Sequence, residues 1–117
     1  MMQTEEMVKE IVQALDSKKG QDIRVLKTGE LTTLAEYFVL CSATSSTQIK
    51  ALSDVCDKRM KDLGEPPHHV EGHRGGTWVL MDFSAVIVHI FNEEARQFYD
   101  LEHMWQDAEQ TDVSQWL

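Results

Sequence analysis

Residues 37 to 41, Tyr-Phe-Val-Leu-Cys, form an unbroken apolar run rich in aromatic and branched side chains. A strand with one wet face alternates apolar and polar residues, whereas an uninterrupted run requires cover on both sides. The run therefore specifies a central strand, and the rest of the chain must supply neighbouring strands and helices for two faces.

Helical periodicity provides that cover. Met7, Val8, Ile11, Val12, Ala14 and Leu15 recur on one face of a first helix, with Thr4 placed to cap it, Glu5 and Glu6 in its first turn, and Lys18, Lys19 and Gly20 closing it. Ser45 stands three residues before Gln48, the spacing of a capping box, and opens a second helix. Its stripe of Ile49, Leu52, Cys56, Met60 and Leu63 holds until Gly64, Pro66 and Pro67 end it. Asn92 caps a third helix whose apolar face is Ala95, Phe98, Leu101 and Trp105.

Further strands fit between these helices. Asp22 to Thr28 carries Ile23, Val25 and Leu26 before Gly29 breaks it, and His69 to Glu71 suits a short edge strand. Thr77 to Asp82 and Ala85 to Phe91 read as a hairpin joined at Phe83-Ser84, with Val86, Val88 and Ile90 on one side and Ile87, His89 and Phe91 on the other. The economical packing is an α/β layered sandwich: a mixed sheet of about five strands covered by helices. Residues 1 to 108 form its domain, and residues 109 to 117 an acidic C-terminal tail that forms a last turn or docks loosely.

Chemistry-bearing patterns are sparse. His68, His69 and His73 share one loop, but Cys41 and Cys56 lie far from them in sequence, so no structural zinc set assembles. The two cysteines sit in apolar settings and pack as small hydrophobes. Metal-dependent nucleotidyl transfer, which small mixed sheets often host, needs paired carboxylates beside a phosphate loop. Asp54 with Asp57, and Asp100 with Glu102, instead fall on helix surfaces, and Gly72, Gly75 and Gly76 lack the spacing of a phosphate-binding loop. No nucleophile, base and orienting group come together, so no cofactor is expected and the reading is a binding protein.

Charge indicates what is bound. The formal charge is −9, and from Glu93 to Leu117 seven acids face one base, Arg96. Such a surface repels phosphate, which disfavours direct nonspecific nucleic-acid binding, and attracts a basic protein. No basic segment followed by an apolar stretch opens the chain, and no run approaches the roughly 18 apolar residues that span a bilayer. A cytoplasmic, membrane-free location is expected.

Several spaced blocks carry a family resemblance: Gly20-Gln21-Asp22-Ile23, Tyr37-Phe38-Val39-Leu40-Cys41, Ser42 to Gln48, Val70-Glu71-Gly72, Trp78 to Asp82, Val86 to Phe91, and Arg96 to Glu102 followed by Trp105. Together, over about residues 5 to 108, they resemble the ribosomal silencing factors of the Iojap family. Two positions depart from the family pattern: Ser84-Ala85 stands where Gly-Asp is common, and Glu36 where Asp is usual. The resemblance implies a nucleotidyltransferase-like topology without the active site. It also implies a translational repressor that binds the large ribosomal subunit through its fourteenth protein and blocks joining of the small subunit. Trp78 is the expected partner-binding anchor, with Leu80, Asp82, Tyr99 and Glu102 around it, because tryptophan and tyrosine dominate interface energetics. A homodimer off the ribosome is a further expectation. The alternatives are a nucleotidyltransferase-like metal-dependent enzyme and an adaptor for another basic partner.

Overall fold

The computed structural model describes residues 2–117. Helix α1 (Thr4–Ser17) precedes strands β1 (Gln21–Lys27) and β2 (Tyr37–Ala43), helix α2 (Ser46–Asp62), and strands β3 (His69–Glu71), β4 (Trp78–Asp82) and β5 (Val86–Asn92). Helices α3 (Glu93–Tyr99) and α4 (Leu101–Met104), strand β6 (Glu109–Thr111) and a 3₁₀ turn (Val113–Trp116) complete it. The sheet order is β3-β4-β5-β2-β1-β6, antiparallel except where β2 runs parallel to β5. All seven residues of β2 are buried, as its composition demands.

The two faces of the sheet are covered unequally. On one, α1 and α2 pack over Val25, Val39, Cys41, Val79, Met81, Val88 and Ile90 to form the larger core. Gln48 clamps the two helices together: its amide nitrogen donates to the Lys18 and Lys19 carbonyls at 3.3 and 3.0 Å, across the end of α1. The Ser45 hydroxyl accepts from the Gln48 N–H, as the capping-box spacing requires, but the return bond reaches the N–H and hydroxyl of Thr44 rather than Ser45. Gly20 is needed for close approach, since a Cβ there would stand 2.6 Å from the Cys41 sulfur and 3.0 Å from the Leu15 carbonyl. Cys41 and Cys56 are both free and buried, and burial pushes the Cys41 thiol up to about 12.

On the other face a smaller core of Leu26, Phe38, Leu40, Phe91 and Leu101 lies beneath the short α3 and α4 segment. The third helix departs from the uninterrupted element expected from its periodicity. Asp100 adopts φ +46 and breaks it, then caps α4 by accepting from the His103 N–H. Its side chain satisfies a helix-start donor locally, and aspartate tolerates the left-handed region better than most residues. The break turns Phe98 outward, 79% exposed, instead of onto the expected apolar face.

Two further expectations are corrected at the ends of the chain. Thr4 lies inside α1 rather than capping it; Gln3 holds the cap position without a side-chain bond, and the Thr4 hydroxyl donates to Glu36 at 2.8 Å. The sheet has six strands, because residues 109–111 pair with Val25, Leu26 and Lys27 of β1 as an edge strand. The following turn packs Val113 and Trp116 against the larger core, and the Gln13 side chain donates to the Trp116 carbonyl at 2.9 Å. A three-residue polar strand lacks the apolar alternation that would reveal it in sequence.

His89 of β5 lies in the smaller core, 5% exposed, between Phe38 and Trp78. Its Nδ1 accepts from the Trp78 indole N–H at 3.1 Å. An indole only donates, so the imidazole proton sits on Nε2, which is buried without a partner among the described residues. Burial lowers the His89 pKa to about 4.

Two predictions follow from this architecture. Removing residues 109–117 should destabilise the fold by about 2–3 kcal/mol, through loss of edge pairing and of Trp116 packing, in urea unfolding; an unchanged midpoint would show that the segment is an appendage. An unfolded imidazole takes a proton near pH 6.5, whereas folded His89 resists until about pH 4. Its neutral-state stability is therefore complete above pH 6.5 and is lost as pH falls through that window, by about 2 kcal/mol between pH 7.5 and 5. His89→Gln, which retains an acceptor for Trp78, should show a shallower loss over the same range; parallel pH profiles would contradict this role.

Candidate functional site

Where α3 and α4 stop short of the sheet edge, one surface remains partly uncovered. Trp78, Leu80 and Asp82 alternate along β4 on the same side as Ile87 and His89 of β5, and all but His89 are incompletely buried. The Tyr99 ring lies 4.4 Å from that of Trp78, tilted by 43°, and Phe98 meets Tyr99 edge-on at 5.1 Å. Tyr99 is 47% exposed, and Met104 of α4 is also exposed. The result is an aromatic ridge whose inner ring is fixed by a hydrogen bond to the core and whose outer rings face solvent.

Backbone constraints shape its border. Trp78 and Leu80, with Glu71 and Gly72 of the preceding strand and loop, frame a shallow hollow of about 200 Å³. Gly72 has φ +81, and a Cβ there would collide with the Trp78 carbonyl, so only glycine lets the loop lie against β4. At the far end of the strand, Asp82 Oδ1 accepts from the Ser84 N–H at 2.7 Å. Ser84 stands at φ +73, where glycine would be unstrained, so the Asp82 bond holds the hairpin turn that the departure at Ser84-Ala85 makes less comfortable.

Arg96 sets the position of α3. This side chain is 3% exposed; Nε and Nη1 are hydrogen-bonded, while Nη2 is buried without a hydrogen-bond partner among the described residues, 3.7 Å from the Asp22 carboxylate. Nε donates to Glu102 at 2.9 Å, and Nη1 donates to the Asp22 carbonyl and the Ser42 hydroxyl, both at 2.8 Å. Asp22, at φ +46 in a register shift of β1, turns its carbonyl toward the guanidinium, which also lies 5.7 Å from the Phe91 ring. A buried charge this extensively bonded fixes a segment in place.

The five expected partner-binding residues therefore separate into groups. Trp78, Leu80 and Tyr99 converge on the ridge and its hollow. Asp82 shares their sheet face, with its carboxylate engaged at the turn. Glu102 points elsewhere: it bonds Arg96 and lies 3.4 Å from Arg24 of β1, a strand three positions from β4 and thus roughly 14 Å away. Phe98, Ile87 and His89 join the ridge, although periodicity assigned Phe98 to a buried helix face and marked none of the three as a partner contact. The Asp100-to-His103 cap was the available signal for Phe98, because a cap inside a helical stripe reorients what precedes it.

The C-terminal acids are likewise divided. Glu93 accepts from Ser42 and Gln97, Glu102 is paired, and Asp112 binds the Ser114 hydroxyl and N–H, which hold its carboxyl below the usual carboxylate range. Of the loop histidines, His69 pairs with Glu71 at 3.0 Å and His73 with Asp54 at 3.1 Å. Among the described residues no three His, Cys, Asp or Glu side chains are grouped to hold a metal ion. No described helix is long and apolar enough to cross a membrane.

Comparison with known proteins bears on this geometry. The family model described as "Ribosomal silencing factor during starvation" matches residues 1–116. The chain is 36% identical to the ribosomal silencing factor RsfS of Chromobacterium violaceum, over 89% of this chain and 85% of that protein. It is 34% identical to the chloroplastic protein Iojap of Zea mays, over 84% of this chain and 42% of that one. A crystal structure of a Chromobacterium violaceum protein superposes with a TM-score of 0.88 at 35% identity, covering 90% of this chain and 88% of that one. The fold is that of a solved relative along nearly its whole length, and the chain belongs to the ribosomal silencing factor family.

Proposed function

We propose that this protein represses translation by binding the large ribosomal subunit through its fourteenth protein and occupying the surface on which the small subunit docks. It acts in the cytoplasm, and its effect is steric occupation rather than catalysis. The observation that supports this reading is the ridge of Trp78, Tyr99 and Phe98, where a half-buried anchor is pre-positioned by His89 and outer rings are free to be covered. Such an anchor loses little conformational freedom on docking, which favours affinity. Ribosomal proteins are basic, and the exposed Glu94 and Asp107 would help orient their approach. In the absence of ribosomes the same apolar surface supports a homodimer, so dimer and ribosome compete for one patch.

Co-sedimentation tests the proposal. The protein should pellet with isolated large subunits and not with intact ribosomes. Trp78→Ala and Tyr99→Ala should each weaken subunit binding, Trp78→Ala by about thirtyfold, corresponding to a loss of about 2 kcal/mol at a hot spot. Tyr99 is the cleaner probe because half its surface is already exposed, and circular dichroism should show both variants folded. Undiminished pelleting of folded variants would rule out the ridge as the contact. Raising salt from 0.05 to 0.5 M should slow association while changing dissociation less; an unaltered association rate would remove the acids from the account.

A further inference from the structure

Away from the ridge, on the sheet face covered by α1 and α2, a cleft opens beneath the first turn of α1. Register builds its floor: Tyr37 of β2 pairs with Lys27 of β1, and Lys27 pairs with Glu109 of β6, so the three lie in one row on one face. Glu5 and Glu6 of α1 overhang this row, and Glu30 and Glu36 close the other side. Two connected hollows of about 630 and 400 Å³ share Glu5, Glu6, Lys27 and Tyr37. They are of the size that accommodates small organic ligands or one extended chain.

The second observation is Tyr37 itself. Its ring packs in the larger core and only 8% of the residue is exposed, yet it lines both hollows and its hydroxyl has no hydrogen-bond partner among the described residues. A phenol whose ring is anchored in the core and whose hydroxyl opens into a cleft, engaged by no described protein group, is available to a ligand at little ordering cost. Burial, aided by the nearby Glu5, Glu36 and Glu109 and opposed by Lys27, holds its proton on more tightly than usual.

Charge selects the ligand class. Five carboxylates border the cleft, and among the described residues none takes part in a salt bridge; Glu36 alone has a partner, the Thr4 hydroxyl, on one oxygen. Lys27 and Lys9 contribute two positive charges, and the helix start adds roughly half of one. The balance remains negative by more than two charges, so an anion is disfavoured and a cation is drawn in.

We propose that this cleft is a second binding site, separate from the aromatic ridge, that takes an extended alkylammonium chain, with the Tyr37 hydroxyl accepting from an ammonium group and Glu5, Glu36 and Glu109 surrounding its charge. The chain can be supplied by a polyamine or by the lysines of a basic peptide. The proposal does not depend on ribosome docking, since cleft and ridge lie on opposite faces of the sheet.

Spermidine and tetralysine are the two probes, titrated into the full-length protein at 0.15 M salt, with binding read by calorimetry and backbone NMR shifts. Shifts should concentrate at Glu5, Lys27, Tyr37 and Glu109. Tyr37→Phe, which keeps the buried ring, should weaken binding about fivefold through the lost hydrogen bond, and Glu36→Gln combined with Glu109→Gln should weaken it at least tenfold while the unfolding midpoint holds. Tighter binding of spermidine assigns the site to a polyamine, and tighter binding of tetralysine to a basic peptide. Shifts spread evenly over all acidic residues, or affinity unchanged in Tyr37→Phe, would reduce the cleft to diffuse surface charge and overturn the proposal. Because subunit sedimentation reads the ridge and these titrations read the cleft, either idea can fail alone.

Discussion

A strand buried along its whole length obliges the chain to provide two covering layers, and 117 residues provide them unequally. The fourteen- and seventeen-residue helices α1 and α2 seal one side of β2 and its neighbours. The other side receives seven residues of α3 and four of α4. These suffice over Phe38, Leu40 and Phe91 at the middle of the sheet but do not reach across β4. The exposed ridge is thus a direct consequence of how the core is roofed: the strand that needs burial most is placed centrally, and the shortage of cover falls at the hairpin edge.

Arg96 makes that thin roof dependable. A short helix contributes little stability on its own, and its position must come from tertiary contacts. The guanidinium joins α3 to the bulge of β1 and the end of β2, while Glu102, two residues beyond Asp100, closes the same network. Tyr99 is held over Trp78 between those fixed points. Glu102 accordingly holds α3 in place through Arg96 and lies close to Arg24, away from β4.

The sequence made the fold legible where patterns are long. The apolar run at 37–41, the two long amphipathic stripes, the Ser45 and Asn92 caps and the alternation along residues 86–91 each correspond to an observed element. It was less informative where structure is decided by a single polar contact. The break at Asp100 depends on one carboxylate capping one N–H, the Thr4 hydroxyl had two acceptable partners, and the pairing of residues 109–111 with β1 uses backbone groups that carry no side-chain signature. The same limit applies at the site. Trp78, Leu80 and Tyr99 could be singled out by residue type and family blocks, whereas the contributions of His89 and Arg96 required knowing which atoms face each other across the sheet.

The pairing of His89 with Trp78 gives the ridge a particular mechanical character. An indole half exposed on a sheet would normally sample several orientations, and ordering it on contact with a partner would cost rotamer entropy. Here the indole N–H is committed to an imidazole nitrogen that is kept neutral by burial, and rings of Phe91 and Tyr99 flank the same indole. The ordering cost is met during folding, so the proposed docking would find the indole already immobilised. The unpartnered Nε2 of His89 is the compensating expense, a buried donor tolerated beside the one tryptophan that it orients.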